Sequence, residues 1–302
     1  MPAKLTPLPN PYPRRSVILL LASLVISPWL GAARAEPAPL PLHVERMSAT
    51  DLAVKGRVDG VPVGETRYVR WADLAALPST KLKLTGEFVP GEQEVCVIYL
   101  TDLWRALPRS AEADTLLATC KDGYAAVYRA SFMEEYKPFL ILSINGLGPE
   151  QWPPPGLTFN PGPYVISISE GVIAAVAHLI DAGHKRPWGV TTLDVAAYSE
   201  RFAGIERGPW ATLSTRASEG REIWVHSCAS CHAGPKATFG GTKSGRMFDV
   251  LVAQAVHNPD YFKGYVRAPK TMAPLATMEA HPHYTDTQLE ALIGFLSAEK
   301  LR

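Results

Sequence analysis

Cysteine is scarce in this sequence, which has four among 302 residues. So few cysteines exclude a disulfide-rich scaffold. The sequence also lacks an excess of charge of either sign, because its net charge is only +1. This excludes the strongly basic domain typical of nucleic-acid binding. Apart from residues 17–30, no run is long and apolar enough to approach a membrane span, and no internal repeat indicates a solenoid.

Residues 1–35 have the pattern of an export signal. Arg14 and Arg15 precede the apolar run 17–30, and Ala33-Arg34-Ala35 offers a small-residue cleavage site. We predict that this signal peptide is removed and that the protein is periplasmic. An uncleaved membrane anchor is the alternative. Cleavage would remove four basic residues and no acidic one, which leaves a net charge of −3.

Two cysteines and a histidine form the motif Cys228-Ala229-Ser230-Cys231-His232. Cys-x-x-Cys-His is the signature for covalent attachment of a c-type haem, because the two thiols form thioethers with the porphyrin and the adjacent imidazole reaches the iron. A thioredoxin-type redox pair would need a βαβ context, and a zinc site would need a second cysteine pair. We therefore predict one covalent haem c, with Cys228 and Cys231 as anchors and His232 as proximal iron ligand.

Three helices are predicted from residue 218 to the end of the sequence. The first covers 218–227, the second covers 248–256, and the third follows the capping box Thr285-Asp286-Thr287-Gln288 with apolar residues at helical spacing. Gly220 lowers helix propensity, which indicates a packing role where the first helix crosses the last near Phe295. From about residue 217 this region resembles a class I cytochrome c, which implies a small all-α fold with a distal methionine ligand.

Two methionines in the loop 269–278 are candidates for that distal ligand. We prefer Met278, because Pro274-Leu275-Ala276-Thr277-Met278 resembles the Pro-x-x-x-Met ligand loop of the family. Met272 is the alternative.

A histidine is a further alternative for the distal position, and it would give a lower reduction potential than methionine. The candidates are His257, His281 and His283. His226, close to the haem motif, is predicted to lie on the surface. No role follows from the spacing of the remaining histidines, which are His43, His178 and His184.

The region 37–205 predicts a mixture of strands and short helices. Strands are predicted over 52–58, 95–100, 125–130, 139–144 and 164–169, and a helix over 101–107. Its motifs resemble the molybdopterin-binding domain of the sulfite oxidase family in a short form, which implies an α+β fold. The motifs lie at 71–78, 99–104, 122–124, 142–146, 162–166 and 187–190. The cysteine loop that holds the metal in that family is not found, so molybdopterin is not expected.

Cys96 and Cys120 are the two thiols that haem attachment would leave over. In an oxidising compartment they are predicted to form a disulfide, which closes a loop of about 25 residues and contributes on the order of 3 kcal/mol. Two buried, reduced thiols are the alternative.

These observations predict a multidomain protein. It comprises a signal peptide (1–35), a sulfite-oxidase-like α+β domain (37–205), a linker (206–217) and an all-α cytochrome c domain (218–302). We predict an electron carrier rather than an enzyme, in which the first domain docks a redox protein that donates or accepts electrons. The alternatives are a molybdenum oxidoreductase, similar to sulfite dehydrogenase, that passes electrons to its own haem, and a haem enzyme with an open distal site.

Overall fold

One mixed β-sheet organises the first two thirds of the chain. The computed structural model describes residues 38–301 except 87, 88, 178, 179, 181 and 237, so the predicted signal peptide lies outside the described residues. The strands are β1 (Leu52–Gly56), β2 (Thr66–Val69), β3 (Thr80–Gly86), β4 (Val89–Tyr99), β5 (Thr115–Cys120), β6 (Ala125–Arg129), β7 (Phe139–Ile144), β8 (Tyr164–Ser167) and β9 (Trp188–Ala196).

Strand β9 lies at the centre of this sheet. It pairs in parallel with β1, where Ala53 lies opposite Thr192, and antiparallel with both β5 and β8. The strand order is β2-β1-β9-β8-β7-β4-β3, with β6 attached through β5. Leu52 and Val54 alternate with more exposed residues along β1, which is the period-two pattern of a strand with one buried face.

The helices are short in the sheet region and longer after it. They are α1 (Trp71–Ala75), α2 (Leu100–Ala106), α3 (Ala130–Tyr136), α4 (Glu170–Val176), α5 (Tyr198–Arg201), α6 (Ala203–Glu206), α7 (Thr215–Ile223), α8 (Phe248–His257), α9 (Pro259–Arg267), α10 (Pro269–Met272) and α11 (Asp286–Ser297). All described elements after β9 are helical. We call residues 38–196 the sheet part, which has an α+β architecture, and residues 198–301 the helical part. No helix in the described range is long and apolar enough to span a bilayer.

Helices α7 and α11 cross at close range in the helical part. A Cβ added at Gly220 would overlap the carbonyl oxygen of Ala291, so only glycine permits this approach. The glycine therefore meets the α11 backbone at Ala291 and Leu292, and not Phe295 as predicted. The predicted capping box at the start of α11 is present, with Thr285 Oγ1 accepting a hydrogen bond from the Gln288 amide.

A hydrophobic core joins the two parts. Leu117 and Val127 of the sheet belong to the same buried cluster as Tyr198, Trp224 and Phe295 of the helical part. By their contacts, the described residues from 38 onward form one compact unit.

The predicted linker 206–217 is folded. A 3₁₀ turn spans Gly208–Trp210, and α7 begins at Thr215. Trp210 is 1% exposed, packs against Phe248 and Phe295, and donates its indole N–H to the Phe295 carbonyl at 3.2 Å. Trp210 therefore anchors this segment to the core of the helical part, although most of its other residues are exposed.

The predicted disulfide between Cys96 and Cys120 is not formed, and both are free thiols. Cys96 lies on β4, between β3 and β7, whereas Cys120 ends β5 and pairs with Val190 of β9. Strands β7, β8 and β9 lie between β4 and β5 in the sheet. Neighbouring strands are about 4.8 Å apart, so this separation exceeds the reach of a disulfide.

Candidate functional site

A cavity of about 1180 Å³ lies between the sheet part and the helical part. On the helical side its wall includes Cys228, Cys231, His232 and Met278. On the sheet side it includes Cys120, Asp122, Tyr124, His184, Arg186 and Trp188. The volume slightly exceeds the usual range of small-molecule pockets, about 300–1,000 Å³. The cavity therefore gathers the predicted haem-binding residues in one place.

The local backbone presents the Cys-x-x-Cys-His motif to this cavity. Helix α7 continues into a π-helical turn over Trp224–Cys228, and the Cys228 carbonyl then accepts hydrogen bonds from the amides of Cys231 (3.1 Å) and His232 (2.8 Å). The following loop folds back on the motif at Gly240, which has a φ of +131°. A Cβ at that position would overlap the carbonyl oxygen of Ala229, so the close approach requires glycine.

Burial controls the protonation of the motif. It raises the pKa of the Cys228 thiol to about 12, and it also raises the pKa of the Cys231 thiol. It also lowers the pKa of His232 to about 4, with further contributions from Arg246 and His281. At neutral pH the thiols are therefore protonated and the imidazole is neutral, which is the form of histidine that binds a metal.

The cavity distinguishes the two candidate methionines. Met278 is half-buried and lies on the cavity wall together with His232. Met272 ends α10, is 40% exposed, and its side chain lies against Gly264 outside the cavity lining. The structure thus brings Met278, and not Met272, together with the haem motif.

Of the alternative histidines, His281 reaches the same wall. It is buried, and its ring centroid lies 5.1 Å from that of His184. His283 is exposed against Tyr284, and His257 is exposed at the end of α8. His43 pairs with Asp73 in the sheet part, and His178 lies outside the described residues.

His226 is not the surface residue that the sequence predicts. It is 5% exposed, its ring centroid lies 5.3 Å from that of Phe132, and its Nε2 lies 3.7 Å from a carboxylate oxygen of Glu222. The reason is that the π-helical turn packs against the sheet part. Burial lowers the pKa of His226 well below its usual value.

The sheet side of the cavity was not predicted from the sequence. The Tyr124 hydroxyl is 3.0 Å from His184 Nδ1, and the buried Arg186 donates to Ser167 Oγ at 3.2 Å. Two motifs could have indicated this wall, because Asp122-Gly123-Tyr124 and Pro187-Trp188-Gly189 both contribute to it. No role had been assigned to either.

An ion pair ties the loop after the haem motif to this sheet wall. Lys243 Nζ lies 2.8 Å from Asp122 Oδ2 and 2.6 Å from the Asp122 carbonyl oxygen. The Lys243 amide donates to the Cys231 carbonyl at 3.4 Å. Lys243 therefore connects the turn between β5 and β6 to the Cys-x-x-Cys-His motif.

The cavity wall has the groups that a covalent haem requires. Among the described residues, His232 Nδ1 and the indole N–H of Trp224 are buried without a hydrogen-bond partner, so polar atoms remain available at this site. Basic side chains outnumber acidic ones on the wall, which suits the carboxylates of a haem. The basic residues are Arg186, Lys243 and Arg246, and the acidic ones are Asp122 and Glu279.

The two thiols of the sheet part lie at different places relative to the cavity. Cys96 lies on β4 outside the cavity lining. Cys120 lies on the wall, and burial raises the pKa of its thiol to about 12. In the described part of the chain, no group of three or more His, Cys, Asp or Glu side chains could hold a metal ion.

Comparison with known proteins gives little support for any family. The chain matches no protein-family model. No curated protein matches it. Among solved structures, the sulfane dehydrogenase SoxCD from Paracoccus pantotrophus is similar over 52% of this chain and 42% of that chain, with a TM-score of 0.34 and 14% identity. The chain thus spans less than half the length of this neighbour, and a TM-score this low establishes neither a shared fold nor a shared function.

Proposed function

We propose that this protein is an exported single-haem c-type cytochrome that transfers one electron at a time in the periplasm. The observation that carries the proposal is the position of Cys228, Cys231, His232 and Met278 on the wall of one cavity. These are the residues that the class I cytochrome c resemblance assigns to the haem.

Each of these side chains has a distinct role in the proposal. Cys228 and Cys231 would hold the haem covalently, and the neutral imidazole of His232 would bind its iron. Met278 would supply a thioether as second ligand, which would favour the reduced iron and raise the reduction potential. The bound haem supplies a reversible one-electron couple. The protein itself excludes water and sets the potential, and it forms no bond to a substrate.

The sheet part takes a direct role in this proposal because it provides one wall of the cavity. Trp188 lies on that wall and is 43% exposed, and Lys121 lies over its ring at 5.9 Å from the centroid. A donor or acceptor protein bound at this edge would approach the haem through the sheet part. This is the docking role proposed for that region.

Haem attachment tests the proposed function. The full chain is expressed in a host that attaches haem c and also makes molybdenum cofactor, and the metals and the mass of the purified protein are measured. We expect one iron per chain and a haem mass that remains after denaturation. The Cys228→Ser/Cys231→Ser variant should lose both.

Cys96→Ser is the matched control, because Cys96 lies on β4 outside the cavity lining, and this variant should keep its haem. Wild-type protein without haem would overturn the proposal. Near-stoichiometric molybdenum beside the iron would instead support the oxidoreductase that passes electrons to its own haem.

A further inference from the structure

Lys185 is a fully buried lysine directly behind the cavity wall. It ends the 3₁₀ turn Ala182–Lys185 and is 0% exposed. Its chain neighbours His184 and Arg186 both line the cavity. A lysine is almost never fully buried without a paired acid, so this position needs a functional or structural reason.

Among the described residues, the Lys185 amine contacts a carbonyl oxygen and two aromatic rings, and none of these contacts is with a carboxylate. Its Nζ donates to the carbonyl oxygen of Val127, and the rings of Tyr128 and Phe132 lie with their centroids 5.2 Å from Nζ. Tyr128 in turn donates its hydroxyl to the Lys185 carbonyl. Aromatic faces favour an ammonium group, but a peptide carbonyl does not neutralise its charge.

Charged and titratable groups reach this position from every element packed against it. Helix α7 contributes Glu222, the π-helical turn contributes His226, the end of β6 contributes Tyr128 and Arg129, and α5 contributes Tyr198. Arg129 and His226 each lie 3.7 Å from the Glu222 carboxylate. One acid therefore faces an arginine, a histidine and Lys185, which disfavours a second permanent positive charge.

A proton can enter this cluster from solvent. The Glu222 side chain is 29% exposed, and its carboxylate is next to His226, whose ring packs against Phe132. His226 Nδ1 is buried without a hydrogen-bond partner among the described residues. The carboxylate and the imidazole thus lie between solvent and the aromatic pair that holds Lys185.

We propose that Lys185 binds one proton when the haem gains an electron and releases it when the haem is oxidised. This inference rests on the proposed haem-binding function. For each electron that a bound haem would accept, the Lys185 amine would take one proton from solvent and become an ammonium group, so the net charge of the protein interior would not change. Oxidation reverses both movements, and the protein carries a proton with each electron.

Burial brings the uptake and release of a proton by Lys185 close to neutral pH. It lowers the pKa of Lys185 to about 7, with Glu222 acting in the opposite direction. Charges interact more strongly in the protein interior than in water. An added electron in the neighbouring cavity therefore raises the proton affinity of Lys185.

The midpoint potential of the haem-loaded full chain between pH 5 and 10 tests this inference. From about pH 7 up to the higher pKa that Lys185 has in the reduced protein, we expect the wild-type potential to fall by about 59 mV for each tenfold decrease in proton concentration, and to level off above that pKa. Lys185→Met should remove this slope, because the variant has no amine to protonate. Lys137→Met is the matched control, since Lys137 is an exposed lysine paired with Glu134, and it should keep the slope.

Two further measurements protect the test against misfolding of one variant. Proton uptake on reduction of the wild-type protein, followed with an indicator dye in weak buffer, should be close to one proton per electron above pH 7. Lys185→Arg places a permanent charge at the site, so its potential should also not depend on pH.

A wild-type potential that does not depend on pH, or an unchanged slope in Lys185→Met, would overturn the inference while leaving haem binding intact. Wild-type protein without haem would overturn the proposed function itself.

Discussion

Met278 is the residue whose role the cavity makes most testable. Replacing its thioether by the alkane of leucine would remove the proposed distal ligand while keeping a similar volume. In haem-loaded Met278→Leu protein we therefore expect loss of the methionine-to-iron charge-transfer absorption and a lower midpoint potential. Both are measured by optical titration with a mediator.

Met272→Leu is the matched control for this experiment. It lies in the same loop outside the cavity lining and should leave the spectrum and the potential unchanged. If Met278→Leu has no effect and a substitution of His281 changes both readouts, the distal ligand is the buried histidine instead.

His226 illustrates what a residue pattern alone does not predict. A polar histidine two residues before the first cysteine of the motif suits the surface by its residue type alone. Its partners Phe132 and Lys185 are far away in the sequence, and the π-helical turn that aims it at them has no sequence signature. The Cys-x-x-Cys-His motif is different, because it consists of three side chains within five consecutive residues.

The crossing of α7 and α11 is the element-level feature with the sharpest energetic consequence. Gly220→Ala gains about 1 kcal/mol of helix propensity, but its Cβ overlaps the Ala291 carbonyl, and overpacking of this kind costs about 1–3 kcal/mol. Because the clash is with backbone, we expect a net loss in the free energy of unfolding, measured by chemical denaturation.

Gly171→Ala in α4 is the control for helix propensity, because a Cβ there meets nothing within 4 Å. It should leave stability unchanged or raise it by up to about 1 kcal/mol. Equal effects of the two substitutions would show that the helix crossing tolerates a side chain at position 220.

Elements with strong local signals were predicted from the sequence, and elements without them were not. Helix α11 has its capping box, α8 has clear periodicity, and β7 was predicted with the observed bounds. Helix α9 was missed because Asn258-Pro259 was interpreted only as the end of α8. Asn258 also caps α9, and Pro259 occupies its first turn.

The missed strands have a different cause. Strand β3 has exposed lysines in its ladder with β4, and these pair with glutamates across the strands. Strands β5 and β9 pair with each other, and this pairing joins residues about 75 positions apart in the sequence, so local patterns do not reveal it. The cavity was unpredictable for the same reason, because its two walls come from distant segments.

At the scale of the whole molecule, the interface between the two parts makes stability depend on pH. Burial lowers the pKa of Lys185 to about 7, whereas an unfolded lysine titrates near 10.4. Between these values the unfolded chain binds a proton that the folded chain does not bind, so the contribution of Lys185 to stability rises with pH in this window. His226, with its lowered pKa, adds a loss of stability as the pH falls below about 6.5.

Lys185→Met should therefore be more stable than the wild type at pH 7, by on the order of 2–4 kcal/mol. This advantage should shrink as the pH approaches 10, because the wild-type penalty disappears there. Urea denaturation of both proteins at several pH values measures the difference. A difference that stays constant with pH would mean that the lysine is already charged in the folded state.

Trp210 has a consequence for how the proposed haem would meet redox partners. Because its indole is anchored in the helical core, and because that core also includes Leu117 and Val127 of the sheet, we expect the segment that joins the two parts not to act as a hinge. A cytochrome on a flexible tether delivers electrons by swinging between donor and acceptor. Here the haem would stay at a fixed place, and both partners would have to diffuse to the same immobile edge and take turns there.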